Sequence, residues 1–338
     1  MTFNEQIIHK INYKTKPLGA LGQLEDLAHQ ICKVQNTLSP CLLNPTIFLF
    51  AADHGIANEG VSAYPQEVTW QMVMNILGQG AGVNVFANQH KIALKVVDAG
   101  VNKEFGKVDG LIDKKVGMGT KSFLREKAMT RQEMIQCISN GKNLINEYLK
   151  NTECNILGFG EMGIANTSSA SMLMHFFTDI PLEMCVGKGT GLDEQQLLRK
   201  LDVLEKSKAL HALAKDDVEV ILQTFGGFEI LTMLGAMLES FAQNKLIMID
   251  GFIASAAFLG ALKLNPSILE NAIFCHQSNE CGHALVLNYL NVKPLLKLDL
   301  RLGEGSGCAL AYPLIESAVN MMNNMASFED AQVSNKSE

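Results

Sequence analysis

LGFGEMGIANTSSAS, residues 157–171, reads as the end of a buried strand that passes through a glycine turn into a helix of small residues. Gly158, Gly160 and Gly163 satisfy the G-x-G-x-x-G spacing of a nucleotide-binding turn, residues 154–157 supply the strand, and Asn166 or Thr167 is placed to cap the helix. In a dinucleotide site that turn closes on a pyrophosphate, and Glu161 would set a carboxylate against the anion. The stretch therefore predicts a strand–turn–helix unit with an acid in a phosphate-sized turn.

The same junction recurs along the chain. TIFLFAADHG (46–55), IALKVVDAGV (92–101), CNILGFGEMG (154–163), KLIMIDGFIASAA (245–257), AIFCHQSNECGH (272–283) and LLKLDLRLGEGSG (295–307) are apolar runs that end in polar or glycine clusters. Helix-like stretches rich in Ala, Gly and Ser follow several of them. This alternation predicts an α/β fold, a Rossmann-like parallel sheet flanked by helices. Asp53, Asp98, Glu161, Asp250, His276 and Glu304 then fall at or just past carboxyl ends of strands, the edge where open parallel sheets bind ligands. Any one such acid is as readily a turn former, but several together point to a site.

Residues 5–37 and 306–325 carry helical periodicity, which predicts a small helical subdomain built from both chain ends. The expected division is a large α/β catalytic domain over 40–305, the helical subdomain over 1–39 and 306–326, and a frayed tail over 327–338. Residues 102–120 read as a charged loop, followed by a helix capped at Thr130 with Glu133 in capping-box position.

Composition narrows the function. The 338 residues hold 28 Lys and Arg against 35 Asp and Glu, net −7, the wrong sign for a nucleic-acid binder. No apolar run approaches the roughly 20 residues that cross a bilayer, and the amino terminus lacks a signal-peptide core, so the expected location is cytoplasmic, without membrane insertion. The 8 cysteines are scattered in apolar surroundings, as free buried thiols are. In CHQSNECGH (275–283) the spacing fits no standard zinc motif, and no metal is expected.

Three glycine clusters stand out: GFGEMG, GKGTGLD (187–193) and LGEGSG (302–307). Glycine lets backbone N–H groups approach an anion, so each can cradle phosphate or merely make a tight turn. Lys188 and Lys200 are at hand to neutralise a phosphate or to sit in solvent. No P-loop and no G-x-S-x-G elbow is present. Asp53-His54-Gly55 reads as a turn lock more readily than as an acid–base pair.

Six collinear motifs, AADHGIANEGVSAYPQEVTWQMV (51–73), GEMGIANTSSAS (160–171), GKGTGLD, GGFEI (226–230), DGFIASAA (250–257) and LRLGEGSGCALAYPLI (300–315), together resemble the nicotinate-nucleotide–dimethylbenzimidazole phosphoribosyltransferases. The resemblance runs from TKPLGALGQLE (15–25) to the last helix. It departs at TKPLGALG, closer to TKPPGSLG in the family, at Ala165, where glycine is usual, and at Lys188, where arginine is common.

The resemblance implies transfer of the 5-phosphoribosyl group of nicotinate mononucleotide to 5,6-dimethylbenzimidazole by a cytoplasmic homodimer that needs no cofactor. It implies Glu304 as the catalytic base and Glu161 beside the nucleotide. The azole would meet Ser62, Tyr64, Gln66, Gln71 and Leu302. The nucleotide and its phosphate would meet Gly160, Met162, Gly163, Ile164, Asn166, Thr167, Gly187, Gly189 and Lys200. Trp70 lies in the azole segment but serves equally as core or dimer packing. Three other readings use the same residues: a nicotinamide-dependent oxidoreductase with an acid such as Glu183, a non-catalytic nucleotide sensor, and metal-assisted phosphoryl transfer.

Overall fold

The computed structural model describes residues 1–189 and 191–334. Its centre is a six-stranded sheet, β1 (Thr46–Ala52), β2 (Ala93–Gly100), β3 (Leu111–Asp113), β4 (Ile156–Met162), β5 (Leu246–Ile249) and β6 (Ala272–Phe274), every pairing parallel, in the order β3-β2-β1-β4-β5-β6. All seven residues of β1 are buried, as befits a central strand covered on both faces. Alternation then assigns the faces. Phe48 and Phe50 share a core with Leu157, Phe159, Ile247 and Ile249, under the helices Arg131–Asn151, Asn166–Thr178, Phe228–Ala242 and Phe252–Leu264. Ile47 turns the other way, with Ile156, Leu246 and Met248, onto the helices Phe3–Asn12, Gln23–Gln35 and Ser306–Asn324. Leu49 and Ala51 meet Val73, Ile76 and Val83 on that same face.

Five of the six apolar runs are strands. The sixth, 295–307, is not: Leu296 makes one isolated bridge to His276, and beyond it the chain has no strand to pair with because β6 is only 3 residues long. β3 lies inside the segment expected to be loop, where Leu111 and Ile112 pair with Val96 and Val97. The amino-terminal helical pattern is two helices, separated where Pro17, Gly19 and Gly22 interrupt it, the glycines at φ +72° and +52°. The capping box forms as expected: Thr130 Oγ1 accepts from Glu133 N at 3.2 Å and Glu133 Oε2 accepts from Thr130 N at 2.7 Å. Neither Asn166 nor Thr167 caps its helix. Ala165 holds that place at φ +73° with no side-chain cap, a left-handed position suited to glycine. Part of the tail is tied down, since Phe328 N donates to Tyr13 O at 3.0 Å; residues 335–338 lie outside the described residues.

From β1 the sheet grows outward through β2 to β3, and the chain then returns to β4 on the other side of β1. This reversal leaves a crevice between the carboxyl ends of β1 and β4.

Candidate active site

Glu161 stands at that crevice, near the end of β4 and paired in register with Phe50. It is buried, and its carboxylate accepts from Asn166 Nδ2. Burial pushes its pKa up to about 8; the Asn166 bond opposes the rise, and the carboxylates of Glu229, Asp250 and Glu304 add to it. Gly160 has a different task from the one its motif suggests. A Cβ there would lie 2.3 Å from Gly305 N and 2.5 Å from Glu304 C, so the glycine admits the 304–305 backbone and leaves no approach for a pyrophosphate.

Beside Glu161 is a cavity of about 90 Å3. Met162, Gly163, Ile164, Asn166, Thr167 and Gly189, assigned to the nucleotide by the resemblance, line it together with Leu302, assigned to the azole. Two helix N-termini open onto it, those of Asn166–Thr178 and Phe252–Leu264, and neither has a side-chain cap. Their free N–H groups make that wall favourable to an anion. The opposite character comes from Glu161 and from Asp250, just past β5, which both line the cavity. Asp250 accepts from Gly305 N at 3.1 Å and Gly307 N at 2.6 Å, with His276 Nε2 at 3.8 Å; burial still raises its pKa.

Glu304 does not line this cavity. It lies on the adjoining wall, where Gly82, at the start of the helix Gly82–Gln89, approaches both its Oε2 and the Leu302 side chain. Burial raises its pKa against an opposing hydrogen bond from the Val83 N–H, and its Oε2 is buried without a partner. Leu302 is half exposed beside it.

Gly187 and Lys200 are also off the cavity wall. The Lys200 ammonium is fully buried one layer behind, donating to Thr167 Oγ1 at 2.8 Å and Gly187 O at 3.2 Å; burial pulls its pKa down to about 8, with Glu280 opposing. Lys188 is exposed. Ser62, Tyr64, Gln66 and Gln71 are not brought to the cavity. Ser62 accepts from Tyr64 N, Gln66 donates to His54 O at 3.2 Å, and Gln71 is exposed. Their segment is hydrogen-bonded to the site where Ile164 N donates to Thr69 Oγ1 at 3.1 Å.

Asp98 and Asp53 are turn locks, the first holding Gly100 N, Val101 N and Lys115, the second Asn102 N. His54 lies wholly buried between Ser169 Oγ, 3.0 Å away, and Glu229 Oε1, 2.6 Å away. His283 in CHQSNECGH accepts from Ser278 N at 2.8 Å and therefore donates through Nε2 to Ser255, which occupies both ring nitrogens. All eight cysteines are free. The cavity residues with polar side chains that sequence reasoning left unassigned are Asp250, His276, Ser278, Glu280 and Arg301. Position after a strand flagged the first two, and Arg301 adjoins LGEGSG; Ser278 and Glu280 carried no signal of their own.

A phosphoribosyltransferase family profile matches residues 1–333. The chain belongs to this family. The phosphoribosyltransferase is 52% identical over 330 residues to the nicotinate-nucleotide–dimethylbenzimidazole phosphoribosyltransferase of Dechloromonas aromatica (strain RCB), covering 97% of this chain and 94% of that protein. The correspondingly named protein of Cupriavidus taiwanensis is 50% identical over 327 residues, at 97% and 94% coverage. Among solved structures, CobT from Thermus thermophilus superposes on the phosphoribosyltransferase with a TM-score of 0.94 at 36% identity, covering 99% of both chains. Among the described residues no helix is long and apolar enough to cross a membrane.

Proposed function

We propose that this phosphoribosyltransferase moves the 5-phosphoribosyl group from nicotinate mononucleotide to 5,6-dimethylbenzimidazole, releasing nicotinate and forming α-ribazole 5′-phosphate, the lower-ligand nucleotide of cobalamin. One observation carries the reading: the cavity at the switch point is lined both by the buried carboxylates of Glu161 and Asp250 and by two helix N-termini that have no side-chain cap. Its charge pattern fits a substrate that is cationic at its pyridinium and anionic at its phosphate.

Nicotinate mononucleotide carries its own leaving group. The bond from ribose C1′ to the pyridinium nitrogen breaks with its electron pair going to nicotinate, and an azole nitrogen supplies the pair that forms the new bond. The other azole nitrogen then sheds its proton, and Glu304 accepts it, a contribution of about 10²- to 10⁴-fold. Glu161 balances the positive charge that grows on the ribose. Lys200, one layer behind Thr167, and the helix N-termini hold the phosphate. A cavity of about 90 Å3 is smaller than the roughly 300 Å3 at which small-molecule sites begin. Arg301 Nη1 donates to Gly189 O at 3.2 Å, both residues line the cavity, and a bound nucleotide makes room by parting that bond. The azole lies against Leu302 and Glu304, with the 62–71 segment closing over it.

The phosphoribosyltransferase works as a cytoplasmic homodimer, with residues 40–305 as its catalytic part, 1–39 and 306–326 as the helical part and 327–338 as a tail. The test is incubation of purified protein with nicotinate mononucleotide and 5,6-dimethylbenzimidazole, with products followed by mass spectrometry. Equal amounts of nicotinate and ribosylated azole phosphate are expected from the wild type, and at least about 10²-fold less from Glu304→Gln. Absence of the ribosylated product, or unchanged turnover in that variant, refutes the reading.

A further inference from the structure

The loop that carries Glu304 has three consecutive residues in the left-handed region: Gly303 at φ +81°, Glu304 at +66° and Gly305 at +86°. Two are glycines, for which the conformation is free. Glu304 has a Cβ, for which that backbone is uncommon and costly, so its surroundings have to offset the strain. Gly160 only makes room for the loop. The groups that grip it belong to Asp250, whose Oδ2 accepts from Gly305 N at 3.1 Å and whose Oδ1 accepts from Gly307 N at 2.6 Å, one on each side of the turn into the helix Ser306–Asn324. Asp250 is itself anchored at the end of β5, and it faces His276 Nε2 at 3.8 Å as its single potential cation among the ion pairs of the described residues. A carboxylate bonded to two N–H groups of a helix start is a firm clamp, because both bonds are charge-assisted and the helix dipole favours the charge.

We infer that Asp250 is a positioning residue: its two backbone hydrogen bonds hold residues 303–307 in the conformation that aims Glu304 at the azole, so it acts on the reaction through Glu304. The inference rests on the assignment of Glu304 as proton acceptor. Asp250 also lines the nucleotide cavity, so a direct action on the substrate is the rival role, and coupling between the two acids separates them. Residues that act as one unit are not additive when removed, whereas independent contributions multiply.

The experiment compares steady-state nicotinate release by the wild type, Asp250→Asn, Glu304→Gln and the double variant, each first shown to be folded by circular dichroism and thermal melting. Asp250→Asn is expected to lower kcat by about 10²-fold, the scale of a ~1 Å misplacement, with the KM for nicotinate mononucleotide within about threefold of wild type. In the Glu304→Gln background it is expected to change kcat by less than about threefold, since no base remains to be aimed. Multiplying effects in the double variant, or a raised KM with kcat unchanged, overturn the inference. Should Asp250→Asn not fold, Asp250→Glu keeps the charge at the cavity but moves the carboxylate by one methylene; it is expected to lose kcat similarly, and wild-type kcat there overturns the clamp. If Glu304→Gln itself retains full turnover, the base assignment falls and takes this inference with it. If that variant is impaired and the effects still multiply, only the role of Asp250 falls.

Discussion

Replacing Gly160 by alanine adds one methyl group and tests the architecture of the site at its tightest point. Gly160 is not among the residues with positive φ, so alanine suits the backbone of β4 and brings no conformational strain of its own. The obstacle is contact: the added Cβ would lie 2.3 Å from Gly305 N, 2.5 Å from Glu304 C and 2.6 Å from Glu304 O, where ordinary contact begins at 3.4 Å. All three are backbone atoms, so no rotamer change relieves them, and the 304–305 segment must retreat by roughly 1 Å to restore normal packing. A shift of ~1 Å at a group that receives a proton costs on the order of 10²-fold in rate, and overpacking of this kind costs about 1–3 kcal/mol in stability. The assay is kcat for nicotinate release together with the thermal midpoint. Gly158→Ala is the control, because its Cβ would meet the Ile47, Cys308 and Met248 side chains at 2.8 Å, 3.2 Å and 3.2 Å rather than the Glu304 backbone. It is expected to lower the midpoint and to affect kcat far less than Gly160→Ala does, because side chains can yield where the backbone cannot. A Gly160→Ala enzyme within about threefold of wild-type kcat, or a Gly158→Ala enzyme equally impaired, refutes the argument that Gly160 exists to admit the Glu304 loop.

The pH profile of kcat/KM, which reports the free enzyme, is expected to be a narrow bell near pH 8. Glu161, raised to about 8 by burial, must lose its proton to balance the cation, so activity climbs with pH; Lys200, lowered to about 8 by burial, must keep its proton to hold phosphate, so activity falls again. Glu161→Gln should displace the acidic limb, leaving the one that Glu304 sets as the base, and Lys200→Met should abolish the alkaline one; an alkaline limb that survives in Lys200→Met rejects that role for Lys200. Thiol titration of the folded protein should find Cys41 and Cys281 quickly, since both are exposed, with the other six reacting only after denaturation; a third fast thiol contradicts the packing. At the crossing of the helices Arg131–Asn151 and Phe228–Ala242, a Cβ on Gly235 would lie 2.1 Å from Ile138 O. Gly235→Ala should therefore lose about 1–3 kcal/mol in chemical denaturation while its KM values stay put.

The sheet was legible in the sequence because its central strands are buried on both faces. TIFLFAA in β1 and ILGFGEM in β4 leave a continuous apolar trace that surface strands do not. The edge elements hid for the complementary reason: β3 is three residues with an exposed aspartate, and LLKLDLRLGEGSG alternates like a strand without a partner to pair with. The site was legible in part. Acids placed after strands can be read directly, and Glu161, Asp250 and Glu304 do converge, whereas which wall each carboxylate faces depends on the three left-handed residues 303–305, a feature of the backbone that sequence suggests only through its glycines. Ser278 and Glu280 join the cavity by tertiary return of the chain, and no local pattern encodes that.

The glutamate in the glycine turn, out of place against a pyrophosphate, follows from the same geometry. In a dinucleotide site the second glycine is spent on phosphate approach. Here Gly160 is spent on the 304 loop, so in the function proposed above the anion goes to the N-termini of the flanking helices, and the turn is left to a carboxylate. Burial penalises the charged form of all three acids, Glu161, Asp250 and Glu304, and neighbouring carboxylates add to that cost for Glu161 and Glu304. A substrate bearing a fixed positive charge relieves it on arrival. Since the cation disappears when nicotinate leaves, the acids regain a reason to hold protons at the moment the azole has one to give up.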